Sequence, residues 1–202
     1  ELSLSSLRGT PDGYRHRIQA DVNRLDFRPG TFDAIAASCF WEHFTPAQKD
    51  RLLEKFSRWL KPEGRLILVF DTASQNPGFR WLRRFPDLYQ RRFIDHDGHF
   101  GLETPSENRT RFEAKGFEEV TGVGLNRTLQ HLPVYAWMEP YGDVSWVARL
   151  ISRMGLWLGR RNKLALAFTG GLHVWDLTLG RVFPLDWSRL YLGVWKRRTG
   201  LG

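Results

Sequence analysis

The 202-residue sequence holds one cysteine, Cys39, which excludes a disulfide framework within the chain and suits a reducing compartment. It also lacks an uninterrupted apolar run of membrane-spanning length. The stretch 164–183 comes nearest, but Gly170, Gly171, His173 and Asp176 interrupt it, and a span needs about twenty mostly apolar residues. No secretory leader pattern, internal repeat or low-complexity segment is present. At 202 residues the chain is expected to be one cytoplasmic α/β domain with an elaborated end, with a peripheral place at a membrane as the alternative.

What is present is most informative between Phe32 and Asp71. Phe32-Asp-Ala-Ile-Ala-Ala-Ser38 is a short apolar run of small residues, predicted to be a strand buried on both faces. Thr45-Pro46-Ala47-Gln48 then reads as a helix start, with Thr45 capping, Pro46 at the first position and Gln48 closing a capping box. Leu52, Leu53, Phe56, Trp59 and Leu60 recur at helical spacing, while Lys49, Arg51, Glu54 and Arg58 are assigned to the other faces. Lys61-Pro62-Glu63-Gly64 is predicted as a turn, with Gly64 at its positive-φ position, before the strand Arg65 to Asp71. Strand, helix and strand without a hairpin imply a parallel pair joined by a right-handed crossover.

FDAIAASCFWEHF followed by LKPEGRLILVFD resembles strands four and five of the class I S-adenosylmethionine (SAM)-dependent methyltransferases, type 11-like. The resemblance extends upstream, where Arg17 to Val22 resembles strand three and ends in the Asp that faces the adenine amino group. Downstream, Thr104-Pro-Ser-Glu107 opens a helix ending at Lys115-Gly116-Phe117. Glu118 to Val123 follows as a strand, and Tyr191 to Lys196 resembles the last, antiparallel strand. The resemblance implies a Rossmann-like sheet divided into three parts. Residues 1–142 are a partial methyltransferase core with an acceptor-cap segment at 76–104. Residues 143–189 are a basic, Trp-rich helical insertion, and 190–202 are the last core strand and tail. The family's glycine-rich loop after strand one has no counterpart here. Glu1-Leu2-Ser3 resembles the residues just after strand two, so the chain is expected to be part of a longer polypeptide, with a partner chain supplying the missing strands as the alternative.

Carried over residue by residue, the resemblance implies SAM as cofactor. It assigns Glu1 to the ribose hydroxyls, Asp21 and Val22 to the adenine, and Ser38, Cys39 and Phe40 to the methionine pocket. Trp41, Arg91 and Arg92 are candidates for the acceptor. Methyl transfer needs an aligned nucleophile and often a base. His99 and His96, in Asp95-His-Asp-Gly-His99, are candidate bases, and His43 of the Glu42-His43 pair is a weaker one because that pair usually shapes the site. His96 and His99 stand three apart beside two Asp, but that spacing lacks a third ligand, so no metal is expected.

Charge separates the two ends of the molecule. The net charge is +8, and from Asp143 onward ten Lys/Arg stand against three Asp, with five of the nine Trp in the same stretch. Val147, Leu150, Ile151, Met154 and Leu158 share one helical face, and Arg149, Arg153 and Arg160 another. The simplest expectation is a helical pair packed on the domain or on a second copy of the chain as a homodimer. The alternative is a surface for anionic lipid, or a lid over an apolar acceptor. Together these features predict methyl transfer to a small-molecule or lipid-linked acceptor, at oxygen or nitrogen. The competing reading is a non-catalytic, methyltransferase-like interaction domain. A nucleic-acid methyltransferase is a third reading, favoured by the basic tail but opposed elsewhere. Ser38-Cys39-Phe40-Trp41 contains no Asn/Asp-Pro-Pro, Cys39 has no preceding proline, and the tail's aromatics alternate with aliphatics as packing residues do.

Overall fold

The computed structural model describes His16 and residues 18–198. The first strand, β1 (Phe32–Ser38), lies where the sequence places it, but only Phe32, Ile35 and Ala37 are even half-buried. The expectation of burial on both faces is therefore corrected. β1 ends the sheet, and among the described residues nothing pairs with its outer edge. The strand expected upstream is corrected as well. Residues 18–21 carry no ladder, and Asp21 starts a turn in which its carbonyl accepts the Arg24 and Leu25 amides at 2.9 and 3.0 Å. Residues become a strand only when they join a ladder, and residues 18–21 belong to none. Arg17 lies outside the described residues.

After a short 3-10 turn at Trp41–His43 comes α1 (Pro46–Trp59), where the Gln48 side chain accepts the Thr45 amide at 2.9 Å. Its buried stripe holds Leu52, Leu53, Phe56 and Trp59, and also Lys49, which the sequence reading assigns to the polar side. The strand β2 (Leu60–Asp71) absorbs the predicted turn. Pairing steps from Phe32–Leu60 to Ala34–Arg65, so Lys61 to Gly64 form an irregularity inside the ladder rather than a separate turn. Gly64 does not adopt a positive φ; it is needed for space, because a Cβ there would stand 3.0 Å from both Leu60 Cδ2 and the Lys61 carbonyl.

Two short helices follow: α2 (Pro77–Leu82), capped by Asn76, and α3 (Pro86–Tyr89), which runs into a π-helical turn at Gln90–Asp95. The helix α4 (Pro105–Ala114) has a reciprocal capping box between Thr104 and Glu107 and leads into β3 (Phe117–Leu125). Next come α5 (Leu132–Ala136), α6 (Trp146–Gly159) and α7 (Asn162–Leu177), and then β4 (Leu190–Arg197). The sheet order is β1-β2-β4-β3, with β1 and β2 parallel and β4 antiparallel to both neighbours. The main core lies between α1, α4 and one face of the sheet. Trp195 stacks on Phe112 there, with centroids 4.1 Å apart and planes within 9°.

Trp146–Gly159 and Asn162–Leu177 form two helices, and the apolar face of the first does not point inward. In α6 the buried positions are Ala148, Ser152 and Gly155, whereas Val147, Leu150 and Met154 are exposed. Close approach explains the inversion, since a Cβ at Gly155 would lie 2.5 Å from Tyr135 Cβ on α5. Small residues let α5 and α6 touch, and the large apolar residues are left on the outside.

Candidate active site

Asp71 ends β2, and the Trp41–His43 turn follows β1, so both lie at the carboxyl ends of the parallel strands. Ligands of open α/β sheets bind in the crevice outside those ends. Glu42 is buried, its Oε2 has no hydrogen-bond partner, and its carboxyl is pushed above the ordinary value by burial first and by the Asp71 charge as well. His99 is buried, its Nε2 lies 3.7 Å from Asp71 Oδ2, and its Nδ1 is unpartnered. Burial lowers the His99 pKa, and the Asp71 carboxylate offsets part of that effect. The His43 ring stands 5.2 Å from the His99 ring, and His43 Nδ1 lies 2.9 Å from the Gly98 carbonyl.

A clamp holds these groups together. The Gly101 amide donates to the Glu42 carbonyl at 2.9 Å, and a Cβ at Gly101 would collide with the Phe44 carbonyl at 1.7 Å. The loop between Gly98 and Gly101 is thus fastened at both ends to the 41–44 turn. Lys49 reaches the same loop from α1. Its Nζ donates to the Gly101 carbonyl at 2.5 Å and to Glu103 at 2.9 Å. Burial alone would raise the Glu103 pKa, but Arg111 and Lys49 outweigh it and hold the carboxyl below its ordinary value. Behind His99, the fully buried Arg189 places Nη1 2.6 Å from Asp71 Oδ1, close enough for an ion pair although its N–H bonds are not aligned on the oxygen. Its guanidinium also lies over the rings of Phe79 and Trp137, 5.5 and 5.7 Å from their centroids.

The sequence-derived candidates are only partly gathered here. Glu1 lies outside the described residues. Asp21 spends its carboxylate locally, accepting the Asn23 amide at 2.9 Å, and that bond holds its pKa low. Val22 packs against the main core. Ser38 and Cys39 are exposed at the end of β1, and Cys39 has a φ of 48°, while Phe40 is half-buried against Phe44. Trp41 is corrected from the acceptor to the core, because it is 1% exposed, packs on Phe112 and donates its indole N–H to Asn108 at 2.7 Å. Arg91 is exposed. Arg92 is engaged with Asp97 at 3.1 Å, with His96 at 2.7 Å and with the Trp137 face. His96 faces Asp97 at 2.8 Å and is outside the Glu42–His43–His99 group.

Asp71, Lys49, Glu103 and Arg189 escaped the sequence reading. A signal existed for Lys49, which falls three and four residues before Leu52 and Leu53 and seven before Phe56, on the buried stripe. Arg189 gave none, because its partner is 118 residues away.

Beside this cluster lies an apolar cavity of about 670 Å³. It is walled by Phe79 and Leu82 of α2, Tyr135 and Met138 around α5, and Ala148 and Ile151 of the insertion. Phe79 is shared with the Arg189 contact, which links the cavity wall to the strand ends. Among the described residues no helix is long and apolar enough to cross a membrane.

Comparison with known proteins agrees with this architecture. A family model described as a methyltransferase domain matches residues 3–68. The ubiquinone/menaquinone biosynthesis C-methyltransferase UbiE of Blochmanniella pennsylvanica (strain BPEN) is 40% identical over 72 residues, which are 36% of this chain and 26% of that protein. The chain thus spans about a quarter of the length of this curated relative. Among solved structures, a candidate methyltransferase of Bacillus halodurans C-125 superposes with a TM-score of 0.52 at 16% identity, covering 96% of this chain and 77% of the other. A candidate sarcosine dimethylglycine methyltransferase of Galdieria sulphuraria reaches 0.50 at 11% identity, covering 90% of this chain and 58% of the other. At such identities the structural likeness speaks for the fold.

Proposed function

We propose that this chain is a class I SAM-dependent methyltransferase and transfers the methyl group of SAM to a small-molecule or lipid-linked acceptor with an apolar body. The carrying observation is the apolar cavity of about 670 Å³ that shares Phe79 with the strand-end cluster. Such a cavity takes up an apolar ligand, and a few polar groups at its rim fix the ligand's orientation. In this reading Ser38, Cys39 and Phe40, at the end of β1, would hold the methionine part of SAM, and Val22 and Asp21, the latter already accepting the Asn23 amide, would stand on the adenine side. SAM would supply an electrophilic methyl group for an acceptor oxygen or nitrogen, and a nearby base would take the acceptor's proton. His99, kept neutral by burial, and the exposed His43 are the imidazoles at hand. The UbiE likeness adds carbon as a third acceptor atom to test. Isothermal titration with SAM, followed by methyl transfer from labelled SAM to apolar phenols, quinols and amines, checks the reading. A folded protein that gives no SAM heat favours the non-catalytic interaction domain instead.

A second observation bears on where the acceptor is met. Trp146, Leu150, Met154, Trp157 and Leu166 are all at least half exposed on the insertion, and Arg149, Arg153, Arg160, Arg161 and Lys163 flank them. Apolar residues ringed by cations fit an anionic lipid surface, where arginines reach headgroups and tryptophans settle at the interface. We assign this face to anionic lipid, as a peripheral contact beside the apolar cavity. Co-sedimentation with anionic vesicles at low salt is expected to carry the protein down, and zwitterionic vesicles should not. Failure with anionic vesicles, or a concentration-dependent dimer masking the face, would overturn the assignment.

A further inference from the structure

We infer that Glu42, His43 and His99 form a binding site for one divalent first-row cation, such as Zn²⁺. One ligand atom from each residue lies within 4.8 Å of the other two. Around a tetrahedral cation with bonds of about 2.1 Å, ligand atoms stand about 3.4 Å apart, so a small inward movement closes the set. Of the three residues, only His43 is exposed, and it can move and admit the ion.

Both histidines are prepared in the manner of metal ligands. A carbonyl can only accept, so the Gly98 oxygen 2.9 Å from His43 Nδ1 keeps the proton on that nitrogen and leaves the Nε2 lone pair free. His99 turns Nε2 toward the Asp71 carboxylate at 3.7 Å, an electrostatic contact that favours the proton on Nε2 and the lone pair on Nδ1. That Nδ1 is buried and has no partner. Metal-binding imidazoles are characteristically oriented by an outer carbonyl or carboxylate of this kind. Asp71 is itself held by Arg189.

Glu42 supplies the strongest argument. Its side chain is 1% exposed, and Oε2 is buried without any hydrogen bond. A buried polar atom left in that state costs free energy unless something meets it. Lys49, the ammonium reaching this region, is committed to Gly101 and Glu103. Two imidazoles and a carboxylate suit Zn²⁺ or Fe²⁺ better than the all-oxygen preferences of Ca²⁺ and Mg²⁺. Three protein ligands leave a position for water or a substrate oxygen. A cation there, at the carboxyl ends of the strands, would polarise an acceptor oxygen and so ease loss of its proton, in place of His43 and His99 acting as bases, because their lone pairs would then lie on the metal. That role rests on the proposed methyl transfer, whereas cation binding does not. The His96–His99 spacing conceals the site, because the partners of His99 come from the turn after β1 and His96 pairs with Asp97 instead.

The test uses chelator-stripped protein dialysed against Zn²⁺, with metal counted by mass spectrometry and affinity measured by competition. The expected result is one Zn²⁺ per chain. His43→Ala and Glu42→Gln should each weaken binding at least tenfold while leaving metal-free thermal unfolding close to wild type, and His96→Ala should bind normally. Zn²⁺ should also raise the unfolding temperature of wild type but not of Glu42→Gln. No bound Zn²⁺, wild-type affinity in His43→Ala, or equal loss in His96→Ala would overturn the proposal. SAM titration of the same metal-free protein is read separately, so the cation site and the methyltransferase reading can fail independently.

Discussion

The sheet ends and the helical insertion handle polarity in opposite ways. At the sheet ends, charged and polar groups are buried: Lys49, Glu42, Arg189 and His99 are all under 10% exposed. In the insertion, large apolar groups are outside, with Trp146 75%, Met154 60% and Leu166 75% exposed. Burying charge is costly unless it is paired, so the sheet ends invest stability in a fixed arrangement of functional groups. Leaving apolar area in water is costly as well, so the insertion has a surface still to be covered. The first region keeps polar groups inside, with Glu42 Oε2 and His99 Nδ1 still unpartnered, and the second keeps apolar groups outside.

The contrast can be tested, beginning with the largest effect. Trp195→Ala removes the ring stacked on Phe112 at the centre of the core, and should cost about 3–5 kcal/mol in chemical denaturation. Arg189→Met comes next. It leaves Asp71 nearly buried beside His99 with no cation, and should cost about 3 kcal/mol or more. A neutral result would mean that the buried charges at the sheet ends are not required for folding.

A smaller effect should follow pH. The folded-state pKa of Glu103 is depressed, so its contribution is present above the ordinary glutamate value and is lost as pH falls through the lower folded value. Denaturation midpoints followed from neutral pH toward about pH 3 should fall less steeply in Glu103→Gln than in wild type. The smallest stability effect is expected from the double variant Trp146→Ser, Met154→Ser. Both side chains are exposed, so stability should stay within about 0.5 kcal/mol of wild type while vesicle binding is lost. A cost well above 1 kcal/mol would show that this face is already covered, and the contrast with the sheet ends would then collapse.

Local chemistry made much of the fold legible. β1, α1 and β2 follow in the expected order, the Thr104–Glu107 capping box forms in both directions and the Thr45–Gln48 one through the Gln48 side chain, because a cap depends on residues three apart. Errors arose where distant parts of the chain decide. Phe32 to Ser38 reads as a doubly buried strand, yet its outer edge has no described neighbour. The apolar stripe of α6 reads as inward-facing, yet the small residues beside it pack more closely on α5. In the site, His43 and His99 were legible by residue type. Their grouping with Glu42 was not, because the clamp at Gly98 and Gly101 joins segments more than 50 residues apart.

The position of β4 has a further consequence. The last strand in the sequence occupies an interior slot of the sheet, hydrogen-bonded to β2 on one side and β3 on the other. Synthesis from the N-terminus therefore delivers β2 and β3 long before the strand that joins them. Until residue 197 has left the ribosome, both present open edges that can capture other chains. A nascent chain paused within the insertion would be the form most in need of a chaperone, and loss of β4 would unmake the sheet from its middle.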